Sequence, residues 1–382
     1  MNQATPDREI SSLLAERIAA GDFPSAVYVA AEHGRAVLAD ALGHAVREPE
    51  QHAARLDTIY DLASLTKPLV TGLLSARMIE RGEIQLDDAV ARYLSELDRA
   101  DKRAITIRHL LTHASGLPAW RPLYITAGGE KEGALRAIAE EALESTPGTH
   151  VRYSDLGFIA LGFLLEKVSG AQLSTLARHE IFEPLKLQYT FFNPELAMRT
   201  GVAACETGNA FERGMCADLK LSEYQNWREG LIWGEVHDGN AHFLGGAAGH
   251  AGLFSNASET LRLASQFFAG LSELLAPQTC ALFHTNMTEG LEEARSLAWQ
   301  LAETVDSTAG AQLPPASFGH TGFTGTSCWN DPTRERTFIL LTNRTHARSL
   351  PFVNINSVRR RFHTLASSAL DAKAASSKQR RQ

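Results

Sequence analysis

A serine and a lysine three residues apart, Ser64 and Lys67, have the types and spacing of a nucleophile and its activating amine. Three residues are almost one helical turn, so in a helix the hydroxyl and the ammonium group lie side by side on one face. A hydroxyl beside a partly desolvated amine can act as a nucleophile. The alternative is an N-cap serine followed by a solvated lysine, and the pair taken alone favours that alternative.

The residues that follow Ser64 predict the helix that this chemistry requires. Pro68 is tolerated only in a first turn, and apolar residues recur at helical spacing as far as Met78, before Gly82 ends the pattern. Ser64 would therefore lie at a helix N-terminus. There the helix dipole and the free backbone N–H groups would stabilise negative charge that develops on a substrate.

The rest of the chain predicts strands near both termini and helices between them. The predicted strands are 25–31, 35–42, 296–302, 317–328 and 337–343, and the predicted helices are 8–20, 86–97, 107–113, 130–145, 156–168, 257–268 and 353–369. We therefore predict a mixed α/β (α+β) fold of the β-lactamase/transpeptidase type. An antiparallel sheet lobe built from both termini, residues 1–62 and 250–365, is flanked by helices, and a mostly helical lobe, residues 63–249, is inserted in it. The Ala/Ser/Lys/Arg-rich residues 366–382 are expected to form a disordered tail.

The composition restricts the classes of partner and the compartment. A net charge of −7 and an isoelectric point near 6.1 leave no basic surface for nucleic acid. The four cysteines show no C-x-x-C spacing, which argues against a zinc site or a disulfide framework. No signal peptide and no membrane-spanning run is visible, so we expect a cytoplasmic protein, although a mature periplasmic or secreted form would look the same. The oligomeric state is left open.

Two further short stretches complete a recognisable set. Tyr153-Ser154-Asp155 opens the 156–168 helix, where Asp155 is a natural N-cap, and His320-Thr321-Gly322 lies on a C-terminal strand. Together with Ser64-x-x-Lys67, and in this order, they resemble the motifs S-x-x-K, Y-x-N and K-T-G of the penicillin-recognising serine hydrolases. The resemblance covers roughly residues 25–361, and the spacing is most similar to class C β-lactamases and their DD-peptidase, esterase and D-aminopeptidase relatives.

The resemblance implies acyl transfer in two steps, without a metal or another cofactor. Ser64 attacks a carbonyl while Lys67 and Tyr153 share the work of taking its proton, the nearby cation favouring the phenolate and burial favouring the neutral amine. The oxyanion lies between the backbone N–H groups of Ser64 and Phe323, each contributing about 3–4 kcal/mol. Tyr153 then protonates the leaving group and activates water.

The resemblance also implies substrate contacts, and two residues depart from the family motifs. Asp155, Thr321 and Gly322 would contact the substrate, with Asp155 standing where the family more often has Asn. His320 stands where β-lactamases have Lys. We expect His320 to be catalytic and to hold a substrate carboxylate in a pH-dependent way. A permanently charged lysine would do this better, which weakens the case for a β-lactamase.

A glycine-rich stretch before the C-terminal strands is the third candidate region. His237, Asp238, Asn240 and the Gly245–Gly252 loop are predicted to frame the substrate cleft, because glycines let the backbone approach a ligand closely. His237, Asp238, His242 and His250 could instead form a metal cluster. Their irregular spacing fits packing and hydrogen bonding better.

Four functions remain open for a small-molecule substrate. The first is an amidase or peptidase acting on peptidoglycan-derived fragments, because the 236–255 stretch looks like the branch with N-acetylmuramoyl-L-alanine amidases and DD-carboxypeptidases. The second is a carboxylesterase with the same three motifs. The third is a β-lactamase, which His320 disfavours, and the fourth is a non-catalytic penicillin-binding protein, which the intact motifs disfavour.

Overall fold

The structure, a computed structural model, describes residues 4–221 and 223–379, and its central element is a seven-stranded antiparallel sheet. The strands are β1 Ser25–Glu32, β2 Arg35–Val46, β3 His52–Ala53, β4 Tyr60–Asp61, β5 Phe191–Phe192, β6 Leu253–Ser255, β7 Gln300–Leu301, β8 Phe318–Thr321, β9 Ser327–Asp331 and β10 Arg336–Thr342. The large sheet has the order β3-β2-β1-β10-β9-β8-β7, and the small one has the order β4-β6-β5.

The middle of the large sheet joins the two ends of the chain. β1 pairs with β10 in an antiparallel register that places Val29 opposite Ile339, and both strands are almost entirely buried. Their β-branched and aliphatic side chains suit a strand covered on both faces. The predicted sheet of strands from both termini, and with it the mixed α/β fold class, is confirmed.

Helices cover both faces of the large sheet, and most of them belong to the stretch of chain that connects β4 to β6. They are α1 Arg8–Ala19, α2 Leu73–Glu80, α3 Ile107–Leu111, α4 Leu123–Thr126, α5 Ala134–Glu140, α6 Asp155–Ser169, α7 Leu173–Ala177, α8 Ala210–Asp218, α9 Gly239–Phe243, α10 Ala257–Ala264, α11 Pro277–Ala281 and α12 Asn356–Gln379. One hydrophobic core lies on the face that carries α2, α6 and α10, and a second lies under α1 and α12.

Two predicted helices are wrong in extent. Residues 86–97 form two separate 3-10 turns, because the Asp88 carboxylate accepts hydrogen bonds from the Gln85 N–H (2.8 Å) and the Tyr93 hydroxyl (2.6 Å), which stabilises a turn. The predicted 130–145 helix is only α5. It ends at Glu140 because Glu141 adopts an extended backbone and pairs with Arg121 at 2.9 Å.

The prediction of a disordered tail from residue 366 is wrong as far as residue 379. α12 continues through this segment, because Ala366 and Leu370 are buried in the second core and Asp371 forms an ion pair with Arg336 at 2.6 Å. The alanines and lysines that resemble low-complexity sequence are also good helix formers. Residues 380–382 lie outside the described residues.

The predicted boundaries of the two lobes, residues 1–62 with 250–365 and residues 63–249, stay a prediction. Within the described ranges, no single helix is both long and apolar enough to cross a membrane. Asp155–Ser169 and Leu173–Phe182 would reach that length and hydropathy only as a pair, and the two are bent by 74°.

Candidate active site

Ser64 lies in the first turn of a helical segment, residues 63–80, that we call the nucleophile helix. The segment begins as a 3-10 turn, continues as a π-helical stretch and ends as α2, and Ser64 is partly exposed at its start. Ala63, directly before Ser64, has a φ of +48°, which costs a non-glycine residue roughly 1–2 kcal/mol. The buried Asp61 carboxylate holds this turn by accepting hydrogen bonds from the Ala63 N–H and the His237 N–H, both at 2.8 Å.

Lys67 is fully buried one turn further along and contacts three groups. Its Nζ donates to Ser64 Oγ (2.9 Å) and to the His250 carbonyl (3.1 Å), and lies 2.7 Å from Asp155 Oδ1. Burial by itself lowers the pKa of Lys67, but the charges and hydrogen bonds of Asp155 and Tyr153 outweigh burial and raise this pKa. Of the two forms that the sequence analysis left open, the cation and the neutral amine, the raised pKa favours the ammonium group in the resting site.

Asp155 has a different position from the one predicted. The N-cap of α6 is Ser154, whose Oγ accepts from the Gly157 N–H at 3.1 Å, and Asp155 is the first residue of the helix. Its carboxylate pairs with Lys67 instead of pointing to a substrate. The change from Asn to Asp in this motif thus gives the buried lysine a full counter-charge, which an amide could not supply.

Tyr153 lies over Lys67 and beside two histidines. Lys67 Nζ is 4.8 Å from the centre of the Tyr153 ring, the His113 ring stacks on it at 4.5 Å, and the His320 ring is 5.8 Å away. Burial raises the pKa of the Tyr153 phenol, against the charge of Lys67 and the hydrogen bonds with Lys67 and Ser64. The phenol is thus mainly protonated at neutral pH.

His320, near the end of β8, is a neutral ring and not a cation. Its Nδ1 lies 2.9 Å from the Thr321 carbonyl, which can only accept, so Nδ1 carries the proton and the buried Nε2 is a free acceptor. Burial, then the charges of Lys67 and Arg295, hold the pKa of His320 well below its usual value. A neutral ring does not favour a carboxylate by its charge, and the expected pH-dependent contact of His320 with a substrate carboxylate stays a prediction.

The loop after β8 is tied to the residues that precede Ser64. Thr324 Oγ1 donates to the Asp61 carbonyl (2.8 Å) and Thr326 Oγ1 to the Leu62 carbonyl (3.0 Å). A Cβ on Gly322 would lie 2.5 Å from the Leu62 carbonyl oxygen, so only glycine fits this approach. The loop therefore presents Thr321, Gly322 and the predicted oxyanion donor Phe323 on the Ser64 side of the sheet.

The three polar residues before the glycine-rich loop are bound to the protein itself. Asn240 is fully buried and bonds to the backbone of Leu123 and Arg121 at 2.8 Å each, so it braces a loop. His237 pairs with Glu206 at 2.9 Å, while Asp238 caps α9 and pairs with His250 Nε2 at 2.9 Å. Our prediction that Asn240 contacts a substrate is wrong, since both ends of its amide are used.

The glycine-rich loop supports the lysine. Gly249 packs against Gly162 of α6, its carbonyl accepts from Thr71 Oγ1 at 2.6 Å, and the next carbonyl, of His250, accepts from Lys67. His242 is half exposed and lies 3.7 Å from Glu235. Among the residues that the structure describes, no group of three or more His, Cys, Asp or Glu side chains is arranged to hold a metal ion.

The sequence analysis missed two residues of the site. Asp61 could have been found from the sequence, since it is a carboxylate within an apolar run directly before the nucleophile helix. A charge in such a run is expected to be buried and therefore needs hydrogen-bond partners. His113 gave no local signal. It has a φ of +59°, and its Nδ1 accepts from the Ser154 N–H at 3.0 Å, so it meets Tyr153 only through the fold. Burial, then Arg295 and Lys67, hold its pKa well below the usual value.

A seven-stranded antiparallel sheet with an inserted helical region, and a serine and a lysine at the start of a helix beside it, define the class of β-lactamase-like serine hydrolases. The chain matches the family model described as Beta-lactamase over residues 10–357, and it belongs to this family. The resemblance noted in the sequence is thereby confirmed, and the chain is a serine hydrolase.

Named relatives and solved structures agree with this class. A protein of Escherichia coli (strain K12) named "Putative D-alanyl-D-alanine carboxypeptidase" is 32% identical over 77% of this chain and 71% of its own. An N-acetylmuramyl-L-alanine amidase of Bacillus subtilis (strain 168) is 29% identical over 89% of this chain and 81% of its own. EstCE1, a hydrolase with promiscuous acyltransferase activity, superposes with a TM-score of 0.72 at 24% identity, covering 93% of this chain and 97% of EstCE1. A class C β-lactamase from Rhodobacter sphaeroides superposes with a TM-score of 0.70 at 19% identity, covering 94% and 99%.

Proposed function

We propose that the chain hydrolyses an amide bond of peptidoglycan-derived fragments through an acyl-enzyme on Ser64. The observation that carries the proposal is the contact of Lys67 Nζ with both Ser64 Oγ (2.9 Å) and Asp155 Oδ1 (2.7 Å) under the Tyr153 ring. The names of the E. coli and B. subtilis relatives support the substrate class. Ser64, Lys67 and Tyr153 are the proposed catalytic residues.

The raised pKa of Lys67 keeps it a fixed cation that cannot take a proton, so the base is Tyr153, which acts through the small phenolate fraction that its own raised pKa leaves. Ser64 Oγ bonds to the carbonyl carbon, its proton passes to the phenolate, and the carbonyl electron pair moves to the oxygen between the Ser64 and Phe323 N–H groups. The C–N bond then breaks while Tyr153 protonates the leaving nitrogen. Water then attacks the carbonyl carbon of the ester and gives a proton to Tyr153. When the C–O bond to Ser64 breaks, Tyr153 gives that proton to Ser64 Oγ.

The neutral His320 favours the amidase over the carboxypeptidase and the β-lactamase. A substrate of either of the latter two carries a carboxylate beside the scissile bond, and the free Nε2 lone pair of His320 repels an anion. Because Nε2 is buried in the resting site, His320 is proposed to disfavour an anionic leaving group through its charge distribution, without a direct contact to the substrate.

Four substrates offered to the purified protein test this proposal. We expect a peptide-extended N-acetylmuramoyl-L-alanine to release its peptide faster than N-acetylmuramoyl-L-alanine releases free alanine. A peptide ending in D-alanyl-D-alanine and a p-nitrophenyl ester are the comparisons, with intact-protein mass spectrometry to detect the acyl group on Ser64. Release of D-alanine alone would move the assignment to a carboxypeptidase, and cleavage of the ester alone to a carboxylesterase.

A further inference from the structure

Two arginines without a carboxylate partner lie behind the loop that follows β8. Arg359, on α12, is buried, and Arg344, which follows β10, is half-buried. None of the ion pairs found among residues 4–221 and 223–379 includes either side chain. Burial, and for Arg359 then the charge of Arg344, lowers the pKa of both groups. A buried cation is costly unless its N–H groups are satisfied, so the acceptors that it binds are informative.

Three of the acceptors are carbonyl groups of the loop that carries the predicted oxyanion donor, and the others are Asn356 Oδ1 for Arg359 and the Val353 carbonyl for Arg344, both at 2.8 Å. Arg359 Nη2 donates to the carbonyls of Gly322 (2.7 Å) and Thr326 (3.0 Å). Arg344 Nε donates to the carbonyl of Phe323 at 2.6 Å. The carbonyl groups of Gly322, Phe323 and Thr326 therefore point toward the two guanidinium groups.

One peptide unit connects Arg359 to the oxyanion hole. The carbonyl of Gly322 and the N–H of Phe323 belong to the same planar trans peptide, so they point in opposite directions. A guanidinium group bound to the carbonyl fixes the direction of the N–H and also polarises it, because hydrogen bonds on the two ends of a peptide strengthen each other. The charge of Arg359 thus acts on the donor that would face a developing oxyanion.

We propose that Arg359 is a positioning residue for the oxyanion hole and acts through the Gly322–Phe323 peptide. Arg344 holds the next peptide, through the carbonyl of Phe323. The proposal rests on the proposed acyl transfer at Ser64. This role differs from a purely structural one. It requires that a substitution of Arg359 weaken the binding of tetrahedral species even in molecules that remain folded.

The test compares the full-length wild type with Arg359→Met, Arg359→Lys and the matched control Arg361→Met, which changes an exposed arginine on the same helix. The first readout is the rate of labelling by a fluorophosphonate, in which Ser64 Oγ bonds to phosphorus, fluoride leaves and the serine proton passes to the base. The second is the affinity for phenylboronic acid, whose boron bonds to Ser64 Oγ as a tetrahedral anion. Thermal unfolding of each variant reports the folded fraction.

We expect Arg359→Met to lower the labelling rate and the boronate affinity by about tenfold to a hundredfold, less than the loss of an entire oxyanion donor. Arg359→Lys should recover part of the loss, because it keeps the charge and one donor, and Arg361→Met should equal the wild type. A folded Arg359→Met that labels at the wild-type rate would overturn the proposal. If Arg359→Met does not fold, the labelling rates of Arg359→Lys and Arg344→Met are compared with that of the wild type. Wild-type labelling rates for both variants would also overturn the proposal. A wild type that is not labelled at Ser64 refutes the proposed function itself, which is a separate outcome.

Discussion

The carboxylate of Asp155 lies 2.7 Å from the Nζ of Lys67, and this contact sets the charge of the whole site. The pair keeps the buried lysine protonated, so that the ammonium group donates to Ser64 Oγ and stabilises a phenolate on Tyr153. The resting site is therefore ordered around a cation, and the base that starts the reaction is present only in a small fraction of molecules.

The Asp155–Lys67 pair should be visible as a pH-dependent contribution to stability. We expect Asp155→Asn to lower the free energy of unfolding by about 1.5–3 kcal/mol at pH 7, since it removes a charged hydrogen bond. The pKa of Lys67 is raised in the folded state, so this contribution is full below its usual value of 10.5 and is lost as the pH rises through the folded pKa. Urea denaturation at pH 7 and pH 11 measures both.

The control for this prediction is Asp87→Asn, which removes an exposed carboxylate paired with Arg108. An exposed pair contributes about 0–1 kcal/mol, so this variant should differ little from the wild type. An Asp155→Asn protein as stable as the Asp87→Asn protein would show that the buried pair does not stabilise the fold.

Substitution of Ser64 should lower the turnover rate far more than it lowers the stability of the fold. We expect Ser64→Ala to lower kcat by at least about a thousandfold and Lys67→Ala nearly as much, as is typical for loss of a nucleophile or the group that activates it. Ser95→Ala, at an exposed position, should be unchanged. Progress curves with the best substrate measure this. Substantial activity in the Ser64 variant would rule out the acyl-enzyme.

The pH dependence of kcat/KM should report a base with a raised pKa. Because burial raises the pKa of Tyr153, the phenolate fraction grows with pH, and kcat/KM should rise by up to tenfold per pH unit from neutral pH until the phenol titrates above its usual value of 10. Tyr153→Phe should abolish this rise together with the activity. A wild-type profile that is flat between pH 7 and 9.5 would exclude the phenolate as the base.

His320 should leave substrate binding independent of pH between 6 and 8, because burial and the charges of Lys67 and Arg295 keep its ring neutral. Introducing a cation with His320→Lys should increase acylation by penicillins, whose carboxylate it would attract. Mass spectrometry of the acylated protein measures this. If the KM of the wild type instead increases between pH 6 and 7, where an ordinary histidine loses its proton, then His320 binds the substrate as a cation.

Stability should fall as the pH drops below about 6.5, and His113 should account for part of the fall. Its pKa is depressed in the folded state, so the unfolded chain binds a proton that the folded chain does not, at up to about 1.4 kcal/mol per pH unit. His113→Phe keeps a ring against Tyr153 and removes the titration. We expect a smaller loss of unfolding free energy between pH 6.5 and 5 in this variant, and an unchanged loss would contradict the assignment.

The predictions that succeeded came from patterns that repeat along the chain. The nucleophile helix and the strands β1, β2 and β10 follow hydrophobic periodicity. The predicted strand 317–328 is wrong in extent, because it consists of β8 and β9 separated by the loop of residues 322–326, which contains Gly322 and Gly325. The small and polar segments were not predictable in this way. Residues 86–97 have helical composition, yet the bonds of Asp88 to Gln85 and Tyr93 select a turn.

The charge states of the site residues also could not be predicted from the sequence. Whether Lys67 is an amine or an ammonium group depends on a carboxylate that comes from another helix, and the charge of His320 depends on burial and on which ring nitrogen meets the Thr321 carbonyl. Asn240 was misassigned for the same reason. A polar residue next to a glycine-rich loop can face a ligand or the protein, and for Asn240 the positions of Arg121 and Leu123 decide between the two.

The pairing of β1 with β10 also determines when the protein can become active during its synthesis. Val29 is synthesised about 300 residues before its partner Ile339, and the adjoining strands β8 and β9 are made only shortly before Ile339. Ser64 and Lys67 are therefore exposed to the cell long before the Phe323 loop and α12 exist, and contacts of such sequence separation form slowly. A nascent chain therefore carries the proposed nucleophile without the proposed oxyanion donor Phe323, and we expect no turnover of substrate until β8, β9 and β10 have been made and paired.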